Sequence, residues 1–187
     1  MGNIWFISDT HFQHTNMLKF LGEDGLPFRG KHFGSQEECD ETMIQNWNKV
    51  IRPEDTVWHL GDVWMGSTER YMEKIHPRLM GKKRVIVGNH DDIRELCAKN
   101  PFTGEWMFQK VEVWRVFRGH DFIATHVPMQ MDHSYEGRNM TFNVHGHIHN
   151  NRAPTLRHYN ACVEVNDWAP IHIEDLKAKL NKRKASL

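Results

Sequence analysis

The chain has 187 residues, of which 39% are hydrophobic, and this length is typical of one domain with a buried core. Its 24 basic and 24 acidic residues cancel, so composition gives no global charge that attracts nucleic acid or an anionic membrane, although local patches stay open. The three cysteines form no CxxC pair and no apolar run is long enough to cross a bilayer, so we expect a single cytoplasmic domain over residues 1–187, of undetermined oligomeric state.

The first half of the chain predicts strands that alternate with helices. The clearest helix begins at Ser35, which has the form of a capping box with Glu38 and is followed by apolar residues at helical spacing. The predicted elements, in chain order, are a strand at 4–8, a helix at 35–51, a strand at 56–60, a helix at 67–75 and a strand at 84–87. This order favours an α/β fold with right-handed crossovers.

The second half of the chain predicts mainly strands. Apolar runs follow one another without intervening helices until the C-terminal segment, where apolar residues return to helical spacing. The predicted elements are strands at 111–117, 122–125, 142–144 and 161–165 and a helix at 173–180.

Polar side chains follow five of these strands. Each motif is weak alone, because an Asp can cap a helix, Gly-Asp and Gly-Asn occur in turns, and a single His is usually structural or exposed. In GHxH, alternation along an extended segment directs both imidazoles the same way. The five motifs are Asp9-Thr-His11, Gly61-Asp62, Gly88-Asn89-His90-Asp91, Thr125-His126 and Gly146-His147-Ile148-His149.

The ordered set DxH, GD, GNHD, H and GHxH resembles the calcineurin-like metallophosphoesterase family over nearly the whole chain. The segments ISDTHFQH, NWNKVIRPEDTVWHLGD and VNDWAPI are most similar to its small, single-domain bacterial and phage members. The resemblance implies an α/β fold in which two mixed β-sheets pack as a sandwich flanked by helices.

The resemblance also implies a site for two divalent metal ions. Asp9, His11 and His149 would hold the first ion, Asn89, His126 and His147 would hold the second, and Asp62 would bridge both. Carboxylate, amide and imidazole donors suit borderline ions, with Mn²⁺ preferred and Fe²⁺, Ni²⁺ and Zn²⁺ as alternatives. Two such ions can hold a bridging hydroxide as the nucleophile and neutralise the phosphoryl oxygens.

Further residues are expected around this site. The resemblance places His90 over the phosphate, where it would stabilise the transition state or protonate the leaving oxygen, and Asp91 is expected to orient His90 by a hydrogen bond. His14 and Arg29 are candidate substrate contacts, with solvated loop residues as the alternative interpretation. His145 is either a neighbour of the ligands or a core or surface residue. Many relatives carry an acidic residue where this chain has Met65.

These features predict metal-dependent hydrolysis of phosphate esters, with a phosphodiesterase of small or nucleotide-type diesters as the leading hypothesis. A phosphomonoesterase or a nuclease are alternatives. A nuclease usually needs a basic or aromatic groove, and most of the tryptophans have the spacing of core residues. A noncatalytic metal-binding scaffold for protein interaction is the alternative from another class, although such scaffolds tend to lose site residues that are all present here.

Overall fold

The first sheet aligns the carboxyl ends of four parallel strands. The computed structural model describes residues 2–22, 25–132, 138 and 140–187. Four strands are mutually parallel, and a fifth pairs antiparallel with the first of them. They are β1 (Ile4–Ile7), β2 (Thr56–His59), β3 (Lys82–Ile86), β4 (Val111–Glu112) and β9 (Ile171–His172), in the spatial order β4-β3-β2-β1-β9.

The second sheet contains β5 (Trp114–Phe117), β6 (Phe122–Thr125), β7 (Phe142–His145) and β8 (His158–Asn160), in that spatial order. β5 and β6 are antiparallel, whereas β6, β7 and β8 are parallel. Both sheets are therefore mixed, as predicted.

Helices cover the sheets. They are α1 (Gln36–Val50), α2 (Thr68–Lys74), α3 (Ile93–Leu96) and α4 (Ile173–Lys184). The predicted cap of α1 is confirmed, because the Ser35 hydroxyl accepts a hydrogen bond from the Glu38 N–H at 3.1 Å. This bond satisfies one of the free amide groups of the first helical turn.

Strand alternation divides the interior into two cores. In β2, Val57 faces a core that includes Trp47 of α1 and Tyr71 of α2, whereas its neighbour Trp58 faces the second core. The second core lies between the sheets and contains Phe122 of the second sheet. Because successive strand residues point to opposite faces, the first sheet is buried on both sides. The packing of the two sheets against each other confirms the predicted sandwich.

Two strand predictions are corrected. The run 111–117 is divided at Val113, because the chain leaves the first sheet after β4 and enters the second sheet as β5. The run 161–165 is not one strand: β8 ends at Asn160, and Val163–Val165 forms a 3-10 helix. None of the described helices has the length and apolar character that spanning a membrane requires.

Candidate metal centre

Five loops that follow strand ends meet where the two sheets adjoin. Three follow β1, β2 and β3, and two follow β6 and β7. Backbone hydrogen bonds join them: the Asp9 N–H donates to the Gly61 carbonyl at 3.0 Å, and the Gly146 N–H donates to the His126 carbonyl at 2.8 Å. All of the ligands expected from the sequence lie on these loops, at the carboxyl ends of strands where α/β folds usually bind ligands.

The first donor group contains Asp9, His11 and His149, whose ligand atoms lie within 4.8 Å of one another. Asp9 Oδ1 is 3.8 Å from His11 Nε2 and 4.0 Å from His149 Nε2. Asp9 Oδ1 and His11 Nε2 are buried and lack a hydrogen-bond partner in the described part of the chain. Because buried polar atoms normally have partners, a cation bound between these atoms fits the site.

The second donor group contains Asn89, His126 and His147. Asn89 Oδ1 is 2.8 Å from His126 Nε2 and 2.9 Å from His147 Nδ1. Donors that share one ion at bond lengths of about 2.1 Å lie about 3.0 to 3.4 Å apart in octahedral or tetrahedral geometry. The two distances from Asn89 Oδ1 are hydrogen-bond lengths just below this range, so the three side chains meet at one point and would share an ion after a small outward shift.

Asp62 lies between the two groups. Its Oδ2 atom is 3.5 Å from His11 Nε2 and 3.4 Å from His126 Nε2, while its Oδ1 atom accepts a hydrogen bond from the His90 N–H at 2.9 Å. One carboxylate oxygen thus faces an imidazole from each group. The ligand atoms of Asp9, Asp62 and His126 also lie within 4.8 Å of one another.

The two ring nitrogens of His126 have different environments. Nδ1 lies 2.8 Å from the Leu60 carbonyl, which only accepts, so this nitrogen carries a hydrogen. Burial alone would lower the pKa of His126, but its hydrogen bond to Asp62 and nearby negative charges raise that pKa to about 9. Without metal, Nε2 therefore carries a proton toward the acidic groups, and a bound metal must displace that proton.

Electrostatics keep the other central groups in forms that bind metal. Burial lowers the pKa of His11 to about 2, with a contribution from the charge of Arg29, so its imidazole is neutral. Burial alone would raise the pKa of Asp62, but the hydrogen bond and charge of His126 hold it below its ordinary value. A neutral imidazole and an ionised carboxylate are the ligand forms of these side chains.

Backbone strain is concentrated at the ligands. Nine non-glycine residues have positive φ in the described ranges, and five of them are expected ligands. Such conformations cost energy and persist where surrounding contacts enforce them, commonly at binding sites. The five are Asp9 (56°), His11 (45°), Asp62 (56°), His147 (70°) and His149 (50°).

Two motif glycines allow the loops to approach closely. A methyl group on Gly88 would overlap the Asp62 carboxylate, and a methyl group on Gly146 would overlap Ser8 Oγ and Asp9 Oδ2. These glycines precede Asn89 and His147 in the chain. The absence of a side chain therefore lets ligands from different sheets reach one cluster.

Glu164 is a site residue that the sequence analysis missed. Its side chain is 2% exposed, and its Oε1 atom lies 3.2 Å from His149 Nδ1. A carboxylate on the outer nitrogen fixes the orientation and tautomer of a metal-binding histidine. Burial would raise the pKa of Glu164, but the charge of Arg29 and the hydrogen bond to His149 lower it to about 2.

Arg29 requires a correction, because the sequence suggested a substrate contact. Its side chain is 0% exposed, and Nε and Nη2 donate to Glu164 Oε1 at 2.8 and 2.6 Å. The guanidinium also donates to the carbonyls of Asp9 and Thr10. A buried group with these partners cannot reach a substrate, so Arg29 instead holds Glu164 and the backbone of the first loop.

His90 and Asp91 occupy different positions in the centre. His90 is exposed, and its ring centroid is 5.7 Å from that of His11. The expected contact of Asp91 with His90 requires a correction. The Asp91 carboxylate accepts hydrogen bonds from the backbone N–H groups of Asp62, Val63 and Gly88 at 2.8 to 3.0 Å. The described hydrogen bonds include none between Asp91 and His90. Asp91 therefore positions the loops that carry Asp62 and Asn89.

His14 lies at the partly exposed rim of the first donor group. Its Nδ1 atom is 3.4 Å from Nδ1 of His11, and its ring contacts Phe20 at a centroid distance of 5.9 Å. Burial lowers the pKa of His14, with a further contribution from the charge of Arg29. This position keeps His14 available to a ligand, and its role as a substrate contact stays a prediction.

Two other residues have local roles. His145 is fully buried beside the GHxH loop, and its Nδ1 atom lies 2.8 Å from the Gly146 carbonyl. Met65 is 37% exposed and lines a hollow together with His90. Neither contributes a donor atom to the two ligand groups found among the described residues.

Comparisons with known proteins agree over most of the chain. A family model described as calcineurin-like phosphoesterase matches residues 2–179. The chain is 31% identical over 188 residues to an uncharacterized protein of Methanocaldococcus jannaschii, covering 96% of this chain and 92% of that protein. It is also 31% identical over 173 residues to the Gene 66 protein of Mycobacterium phage L5, covering 80% of this chain and 78% of that protein.

A solved structure also resembles this fold. The crystal structure of a protein of unknown function from Aquifex aeolicus matches with a TM-score of 0.66 and 24% identity, covering 95% of this chain and 99% of that chain. At this identity the likeness supports the fold alone.

Proposed function

The chain belongs to the calcineurin-like phosphoesterase family, and on that premise we propose that it is a phosphodiesterase that acts on small or nucleotide-type diesters through two divalent metal ions. Membership in this family implies metal-dependent hydrolysis of phosphate esters. It confirms the resemblance drawn from the motifs, including the likeness to small phage members.

The observation that carries the proposal is the pair of adjoining donor groups with Asp62 between them. Among the described residues, Asp9 Oδ1 and His11 Nε2 are buried without a hydrogen-bond partner, and Asn89 Oδ1 lies within 2.9 Å of a ring nitrogen of both His126 and His147. When bound, two divalent ions supply a hydroxide nucleophile from water and neutralise phosphoryl oxygens. Asp9, His11 and His149 would hold one ion, Asn89, His126 and His147 the other, and Asp62 both.

The donor set supports Mn²⁺ as the preferred ion, with Fe²⁺, Ni²⁺ and Zn²⁺ as alternatives, because oxygen and imidazole donors surround the site. Cys162 Sγ is 3.2 Å from Asp9 Oδ2, but burial raises the pKa of this thiol well above its ordinary value. The thiol is therefore protonated and donates to Asp9, so it offers no thiolate to a softer metal.

His90 is proposed to act on the substrate and not on the metals. Its ring is exposed beside the cluster, while its backbone N–H is held by Asp62 Oδ1. This arrangement fixes the backbone of His90 and leaves its imidazole available to stabilise phosphoryl charge or to protonate the leaving oxygen.

A diester is favoured over a monoester by charge and by access. A monoester dianion gains from a free cation at the site, but the guanidinium of Arg29 is buried against Glu164. Asn89, His90 and His147 are exposed, so the centre is open to a substrate with two substituents.

The test compares bis-p-nitrophenyl phosphate, p-nitrophenyl phosphate, cyclic nucleotides and short oligonucleotides after the protein is stripped with chelator and reloaded with each metal. We expect hydrolysis of the small diesters with kcat/KM at least about tenfold above that of the monoester. Preference for the monoester would replace diesterase by monoesterase activity, and preference for oligonucleotides would favour a nuclease. Stoichiometric metal binding without hydrolysis would favour the noncatalytic scaffold.

A further inference from the structure

A cavity of about 530 Å³ opens beside the metal centre and shares Asn89 and His126 with it. This volume lies within the range of pockets for small ligands. The other lining residues come from the loop after β3, from the junction of β4 and β5, from β6, and from the segments that follow β6. Most of them are aliphatic residues or methionine, among them Val87, Ile123 and Met129.

The cavity lining is mainly apolar and has few free groups that can form hydrogen bonds with a ligand. The described residues that line the cavity include no Lys, Arg, Asp or Glu. The Thr125 hydroxyl donates to the Val127 carbonyl at 2.6 Å and is thereby occupied. Val113 and Trp114 are 69% and 59% exposed, which leaves a large apolar surface next to a polar cluster. Exposed apolar surface of this kind commonly marks a binding site.

The cavity and His90 border two different hollows beside the donor cluster. The cavity is in contact with Asn89 and His126 of the second donor group, and His90 is absent from its lining. His90 instead lines a separate hollow with Trp64 and Met65. If the leaving group lies beside His90, the apolar surface of the cavity is available to the substituent that stays on phosphorus.

We propose that this cavity binds the retained substituent of the phosphodiester, and that this substituent is uncharged and aromatic, of the size of an aryl ring or a nucleobase. The inference rests on the proposed function. Trp114 supplies a surface on which an aromatic ring can stack. The apolar walls add contact area but, among the described residues, have no charged groups that could distinguish one base from another by hydrogen bonds. The cavity thus selects aromatic substituents and discriminates weakly among the bases.

The test uses phenyl and methyl p-nitrophenyl phosphate, which share a leaving group and differ in the retained substituent. In the wild type we expect kcat/KM to be about 10- to 100-fold higher for the phenyl ester, the effect of burying one ring. Trp114→Ala should reduce this ratio about five- to tenfold. Trp106→Ala is the matched control, because Trp106 is 58% exposed and lines a different cavity.

A binding measurement separates this proposal from the proposed function. Calorimetric titration of the metal-loaded protein should show diphenyl phosphate binding at least about tenfold more tightly than dimethyl phosphate, and Trp114→Ala should remove most of the difference. Thermal unfolding of both variants checks that they are folded.

Hydrolysis of diesters with equal kcat/KM for the phenyl and methyl p-nitrophenyl esters would overturn the cavity proposal alone. Absence of hydrolysis with the binding difference intact would overturn the proposed function and support the cavity. Equal effects of Trp114→Ala and Trp106→Ala on either measurement would overturn the cavity assignment.

Discussion

Replacing Glu164 with Gln should destabilise the metal-free protein and weaken metal binding together. The carboxylate accepts two bonds from the fully buried Arg29 and one from His149. Gln has nearly the same shape but no charge, so the substitution leaves a buried guanidinium without its counterion. It also removes the acceptor that orients the His149 ring.

Two routes give the magnitude of the stability loss. Removing one partner of a buried ion pair costs about 3 to 5 kcal/mol. The pKa of Glu164 falls from 4.5 to about 2 in the folded state, which corresponds to about 3 kcal/mol by linkage. Because the folded pKa is depressed, this contribution is present above about pH 4.5 and is lost as the pH falls toward about 2. The two routes agree on about 3 kcal/mol at neutral pH.

Urea unfolding at pH 7 with chelator present measures the stability of the metal-free forms. Glu41→Gln is the matched control, since Glu41 accepts from Arg78 at 2.8 Å on the surface with both side chains more than 40% exposed. Exposed pairs contribute less than about 1 kcal/mol, so this control should unfold near the wild type. Metal titration of Glu164→Gln should show about 10- to 100-fold weaker binding than the control.

Equal free energies of unfolding for Glu164→Gln and Glu41→Gln would refute the account of Arg29 and Glu164 as a structurally required buried pair. A stability loss with unchanged metal affinity would refute only the part that concerns His149. The wild type should also lose this advantage over Glu164→Gln as the pH falls through the range from about 4.5 to 2.

Three further substitutions test the centre. Asp62→Ala should lose more activity than any other ligand variant, because Asp62 is proposed to bridge both ions; two fully occupied ions by metal analysis with near-normal turnover would contradict this. His90→Asn should keep its metals but lose about 10²- to 10⁴-fold in turnover on poor leaving groups and less on activated aryl esters, and unchanged kinetics on both would exclude a catalytic role. Gly146→Ala should lower stability by about 1 to 3 kcal/mol in thermal or urea unfolding because its methyl group overlaps Asp9, whereas Gly119→Ala, which meets nothing within 4 Å, is the control expected near the wild type.

The ligand motifs were predictable because each follows a predicted strand and because their ordered set resembles the calcineurin-like metallophosphoesterase family. Parallel strands bring their carboxyl ends to one edge, so motifs distant in sequence become neighbours without knowledge of side-chain contacts. The structure places the donor atoms of Asp9, Asp62 and His126 within 4.8 Å of one another, although more than a hundred residues separate the first from the last. The resemblance to the calcineurin-like family assigned the ligands, and the shared edge of the parallel strands explains why these distant residues meet.

The roles of Arg29 and Glu164 were not predictable in the same way. The two residues are 135 positions apart and belong to no periodic element that aligns them. Arg29 lies in a predicted loop, where the sequence suggested a substrate contact or a solvated residue. Glu164 lies in a predicted strand that is a 3-10 helix. The nearest signal was a single charge within an otherwise apolar run from Ala161 to Val165, since a charge there needs a buried partner.

Several energetically unfavourable features occur together at the candidate metal centre. Three features there are unfavourable: the strained backbone at Asp9 and His11, the atoms of these side chains that lack a hydrogen-bond partner in the described ranges, and the buried charge of Arg29. Backbone conformation and polar pairing thus depart from their usual preferences at the same edge of the sheets, and natural proteins retain such departures mainly at functional sites. A cation between the unpartnered atoms would remove part of the cost, so metal binding and folding stability are linked at this site. The sequence shows only the polar motifs at the strand ends, whereas the strained backbone and the buried donor atoms that would favour a bound metal ion arise when the chain folds.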